Sequence, residues 1–190
     1  MTSVHEACNR VKSLVASDPT AALRIAMAIE PPSARVHALA WIIRCGDNRS
    51  AGQAIKNAEM SARTCGDAFC KAIALAHPIR AAFERGAHMK ARRLLDEALS
   101  RLPAMPTTSE QAEAIRLLCK ASLAGGGEIW SLLVRHLIKQ CPAHLHWRAA
   151  RAHLRALRVL KDKDRALAEQ LVSAMTPGKI ERRARRWLNG

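Results

Sequence analysis

Gly86, Ala91, Leu95, Ala98 and Pro103 follow one another at steps of five, four, three and five residues, and Gly125, Trp130, Val134, Leu137 and Pro142 repeat those steps unchanged. Gly46, Ala51, Ile55 and Ala58 begin the same series, with Arg63 where the proline would fall. Steps of three and four put side chains on one face of an α-helix, and the glycine ahead of each series marks the turn leading into it. A pattern returning about every forty residues lies in the range of architectures built from repeated helix pairs. One such pair has too little apolar surface to stand alone and has to stack on its neighbours.

The breaks between segments fit this reading. Asp18-Pro19 is a capping residue followed by proline at the first helical position, and Pro31-Pro32-Ser33 closes one helix and opens the next. Further breaks fall at Gly46 to Asn48, Gly66-Asp67, Gly86, Pro103 to Ser109, Gly125 to Gly127, Pro142, Lys161 to Asp164 and Pro177-Gly178. Between them lie about eleven segments of 11 to 19 residues with helical apolar periodicity. Pro78 lies inside the pattern from Asp67 to Arg85, where it has to bend or split the helix. Hydrophobic residues form 49% of the chain but aromatics only 3%, so alanine and leucine, both strong helix formers, supply the core. The fold class expected is all-α.

The segment FERGAHMKARRLLDEALSRLP, Phe83 to Pro103, resembles a tetratricopeptide-type repeat: a glycine turn, a small residue early in the second helix, a large one at its centre, a small one a turn later, and a terminal proline. The likeness covers residues 19–175 when degenerate outer units are counted. It implies a single domain over residues 1–190, a right-handed α-α superhelix of about five antiparallel helix pairs. The units fall at 1–30, 33–64, 67–103, 108–142 and 143–175, with a capping helix at 177–188. Leu39, Ile79 and Leu118 stand where that family has a small residue, and the period exceeds its thirty-four residues, which keeps a HEAT-like array as the alternative. In the last segment Ile180, Ala184, Trp187 and Leu188 gather on one side of the helical wheel, and Lys179, Arg182, Arg183 and Arg186 on another, as a cap requires.

Charge singles out a partner surface. Thirty-one Lys plus Arg oppose 16 Asp plus Glu, a formal +15 that attracts acidic protein, nucleic acid or anionic membrane. Residues 143–190 hold 12 of the basic and 4 of the acidic side chains. There Arg148, Arg151, Arg155 and Arg158 share an arc of about 80° on a helical wheel, with His144 on the same side. Like charges at three- and four-residue steps repel by a few tenths of a kcal/mol per pair, and no acidic residue follows in the ladder until Asp162. Two readings stand: a solvated helix face, or a grip on carboxylates or phosphates, the anions that guanidinium forks fit. Only Trp147 adjoins the ladder and the chain has no tyrosine, which counts against stacking on nucleic-acid bases.

Other candidates read as structural. Cys141, His144 and His146 lack a fourth ligand and are interrupted by Pro142, so no metal is expected. His153 lies on the apolar side of its helix, as a hydrogen-bonded core residue would. Cys65 and Cys70 straddle a turn without C-x-x-C spacing, and all six cysteines are expected to be reduced and mostly buried. Gly125 to Gly127 has no strand or phosphate-gripping lysine beside it and reads as a turn. No catalytic constellation, cofactor fingerprint, secretion signal or run of eighteen apolar residues is found, so a non-enzymatic cytoplasmic protein without cofactor is expected. The tetratricopeptide resemblance implies a scaffold or chaperone-like adaptor holding a peptide or helix, with an acidic protein as the leading partner. A nucleic-acid-binding array, with the ladder and the terminal helix tracking phosphates, is the alternative.

Overall fold

The computed structural model describes residues 3–140, 142 and 146–190. Among them are twelve α-helices and no strand, and the chain divides into two compact units, Met1–Arg101 and Leu102–Gly190. The first unit contains α1 (Val4–Leu14), α2 (Pro19–Met27), α3 (Pro32–Cys45), α4 (Asn48–Arg63), α5 (Ala68–Ala74), α6 (Ala76–Glu84) and α7 (His88–Leu99). In the second, a 3-10 turn at Leu102–Ala104 precedes α8 (Thr108–Ala121), α9 (Gly127–Gln140), α10 (Trp147–Lys163), α11 (Arg165–Ser173) and α12 (Lys179–Asn189). None of these helices is long and apolar enough to cross a membrane.

Side-chain caps explain where the helices start. Ser3 and Glu6 form a reciprocal capping box at α1, and Asp18, Asp47, Asp67, Thr107 and Asp164 accept backbone N–H groups at the starts of α2, α4, α5, α8 and α11. Those bonds hold the Asp47 and Asp67 carboxyls below the usual aspartate range, because they favour the charged form. The helices are shorter than the apolar periodicity suggests, α5 having only seven residues. Pro78 is the cause there. It has no N–H for the carbonyl of Ala74, so one expected segment becomes α5 and α6, joined through Leu75.

The residues of the five-four-three series all point inward. Ala51, Ile55 and Ala58 on α4, Ala91, Leu95 and Ala98 on α7, and Trp130, Val134 and Leu137 on α9 are buried. The glycines ahead of them serve different needs. Gly86 has φ of +80°, a conformation that disfavours any side chain, whereas a Cβ on Gly46 would lie 2.8 Å from the Ile42 carbonyl oxygen. Trp130 occupies the position that alanine holds in α4 and α7, and α9 packs on α8 less closely than α4 packs on α3.

Contacts within each unit join positions about forty residues apart. In the first, the rings of His37 and His77 stack with centroids 4.4 Å apart, and Arg44 Nε donates to Glu84 Oε2 at 2.6 Å, setting α3 beside α6 in the same direction. In the second, Arg148 donates to Ser109 Oγ at 2.8 Å and Lys163 Nζ to the Leu123 carbonyl at 2.8 Å, setting α10 beside α8. The apolar stripes that meet along these lines form the core of each unit. Leu95 lies at the centre of α7 and is fully buried. Leu95→Asp is expected to destabilise the first unit by at least about 3 kcal/mol, whereas Leu95→Met costs less than about 1.5 kcal/mol. Urea denaturation of the two variants checks this.

Candidate functional site

α10 begins at His146, whose Nδ1 accepts the Arg148 backbone N–H at 3.1 Å. Its inner face buries Ala149, Ala152, His153, Ala156, Leu157 and Leu160 against α8 and neighbouring helices. The arginine ladder is left on the other face, with Arg151 and Arg158 exposed and Arg148 and Arg155 half-buried. The ladder does not act as one row. Arg148 is turned to Ser109, while Arg151, Arg155 and Arg158 line a groove of about 700 Å³ together with Arg116 from α8 and Arg183 from α12. Leu123, Leu154, Val159 and Trp187 supply its apolar lining.

Sequence spacing did not reveal how far the charges are balanced. Glu113, one turn before Arg116 on α8, takes its guanidinium in two hydrogen bonds of 2.8 and 2.5 Å. That hydrogen bond holds the Glu113 carboxyl below the usual glutamate range against the opposing effect of burial, and the charges of Arg148 and Arg151 add to it. The ladder therefore does have an acidic neighbour, supplied by another helix. Nor is Trp147 its sole aromatic. The guanidinium carbons of Arg148 and Arg151 lie 5.2 and 5.4 Å from the Trp147 ring centroid, and those of Arg158 and Arg183 lie 5.7 and 4.8 Å from that of Trp187. Trp187 reaches the ladder because α12 packs on α10 and α11.

No protein-family model, curated protein or solved structure significantly matches the chain. The chemistry of the groove is therefore argued from its residues alone. Five guanidiniums around an apolar lining, with one carboxylate beside them, suit an anion carrying apolar groups.

The remaining candidates fall elsewhere. Arg182 and Arg186 are exposed outside the groove, and Lys179 lines a separate hollow at the turn before α12. On that helix Glu181 is buried and paired with Arg185, an acidic contribution to the inner face that the wheel did not show. His153 is 2% exposed with Nδ1 2.9 Å from the Ala149 carbonyl oxygen, and burial pushes its pKa down, favouring the neutral ring. Cys8, Cys45, Cys65, Cys70 and Cys119 are free thiols. Cys65 and Cys119 are buried, Cys119 with its pKa pushed up to about 12 by desolvation, but Cys45 and Cys70 sit near helix ends and are exposed. Cys141 and His144 lie outside the described residues. Among those described, no group of three His, Cys, Asp or Glu side chains is placed to hold a metal ion.

The Glu113–Arg116 pair makes a pH-dependent contribution. Because the folded carboxyl titrates below an unfolded glutamate, its stabilisation is present above the unfolded pKa and disappears as pH falls through the folded one. Glu113→Gln is expected to be less stable than the parent near pH 6, with the gap narrowing on acidification to about pH 3. Urea midpoints measured across that range check this.

Proposed function

We propose that the chain is a non-enzymatic interaction module of tetratricopeptide-like helix pairs whose second unit holds an acidic peptide or helix of a protein partner. The observation carrying this reading is the convergence of Arg116, Arg151, Arg155, Arg158 and Arg183 on one groove with an apolar lining. The repeat assignment is supported by burial of the five-four-three positions and by contacts between residues forty apart. In that arrangement α8 and α10 are the first helices of successive pairs and α12 caps them. A ligand across the groove would touch all three.

A peptide suits the lining better than a nucleic acid. Arginines already lie over the faces of Trp147 and Trp187, where bases would stack, while Leu123, Leu154 and Val159 offer contacts to apolar side chains. Carboxylates on one side of an amphipathic segment would meet the guanidinium forks, and its apolar side chains would meet the lining.

The test is Arg151→Gln combined with Arg155→Gln and Arg158→Gln, leaving Arg148 to hold Ser109. Arginine and glutamine have similar helix propensity, so circular dichroism should be unchanged. In a calorimetric titration with a synthetic amphipathic peptide of alternating glutamate and leucine, the triple variant should lose the binding event at this groove and so bind with lower stoichiometry. Each single change should cost only about 0.2–1 kcal/mol, as exposed ion pairs do. Unchanged stoichiometry and affinity on an unchanged fold mean the ladder only solvates its helix. Preferential binding of duplex DNA, with a salt slope reduced by about 0.9 per lost contact, supports the phosphate-tracking alternative.

A further inference from the structure

The first unit carries a second basic groove, on helices the ladder does not involve. α4 and α7 run side by side, joined toward their C-terminal ends by two ion pairs, Arg93 to Glu59 at 2.7 Å and Arg63 to Glu97 at 3.5 Å. Toward their N-terminal ends they part around a groove of about 640 Å³. Arg49 and Lys56 stand on its α4 wall, Lys90 and Arg93 on its α7 wall, the buried Ile55 lies beneath it, and Met89 lies at its edge, 84% exposed. Arginines elsewhere in the unit are largely matched: Arg35 pairs with Glu30, Arg80 and Arg44 with Glu84, and Arg92 with Asp96. Among the described residues, Arg49, Lys56 and Lys90 form no salt bridge, and no acidic residue lines the groove.

Gly52 bears on the shape. It lies inside α4, where glycine is the poorest helix former apart from proline, and it has no positive φ to require it. A Cβ there would meet only the mobile end of Lys90, with Nζ 3.7 Å away, so core packing does not exclude a larger residue. The missing side chain instead leaves the floor between the cationic walls open.

From this geometry we infer that the α4–α7 groove is a second docking site, taking an acidic peptide segment of a protein partner with an apolar side chain set over Gly52 and against Met89. Charge complementarity selects the occupant. Unmatched cations on both walls would face its carboxylates, and Arg49 and Lys56, two turns apart on α4, span about 10 Å, the length of three to four extended residues. The inference does not depend on the reading of the α10 groove.

The test uses the full chain carrying the three glutamine substitutions on α10, which silence that groove, and a fluorescent eight-residue peptide of alternating glutamate and leucine. In this background, Lys56→Glu with Lys90→Glu is expected to weaken peptide binding about tenfold or more. Arg10→Glu with Arg24→Glu, an equal charge change at exposed positions away from the groove, should have a much smaller effect. Gly52→Leu should also weaken binding, at unchanged net charge and with thermal stability kept or raised, separating occupation of the groove from folding. Equal losses from both reversed pairs would reduce the effect to bulk charge and overturn the proposal. So would undiminished binding by the Gly52→Leu chain, or a tighter hold on single-stranded DNA of equal charge.

Discussion

Burial of short apolar stripes that no helix pair can cover alone is the constraint on which the structure depends. A helix of nine to fourteen residues is marginal in water, so α2, α6 and α7 persist because neighbours cover their inner faces. Within each unit, contacts between residues about forty apart set where that covering happens. They also decide which outer faces lie side by side: Arg158 reaches Trp187, and Lys90 reaches Gly52, because inner faces are in register. The surface chemistry is thus a product of core packing, not an independent layer.

Carboxylates are scarce relative to cations, and their placement shapes that surface. Glu59 receives Arg63 and Arg93, and Glu84 receives Arg44 and Arg80, so single acidic residues neutralise parts of two helices at once. Exposed pairs of this kind contribute little stability each. Their larger effect is to leave unmatched positive charge where no carboxylate reaches, along α10 and at the N-terminal ends of α4 and α7. Glu113 is the exception beside the ladder, binding Arg116 in a fork that fixes one guanidinium at the groove wall.

Helical content and most boundaries were legible in the sequence because they rest on local chemistry. Asp18-Pro19, Asp47, Asp67 and Gly86 act within a few residues of themselves, and each marks a boundary seen in the structure. The inward face of the repeated spacing was legible too, since a three- and four-residue period needs no partner to be read. What escaped depended on other helices. A wheel drawn for α10 cannot show Glu113 on α8 or Trp187 on α12, so the ladder read as more uncompensated and less aromatic than it is. The α4–α7 groove escaped for the same reason: Arg49, Lys56 and Lys90 form no series along the chain and meet only across two helices. Exposure of Cys45 and Cys70 likewise follows from their places near helix ends rather than from residue type.

Two guanidiniums lie over the Trp187 ring, one from the wall of the α10 groove and one from the helix that closes it. An anion entering the groove competes with the indole for both. Drawing either cation off the ring would change the field around the chromophore, so the emission of this tryptophan would respond to an anion bound there. Trp147, under the groove arginine Arg151, would respond in the same way, whereas Trp130 is buried in the packing of α9 and Trp41 lies in the first unit beside Lys12 and Arg44. The groove therefore contains its own optical probe, already built into the chain.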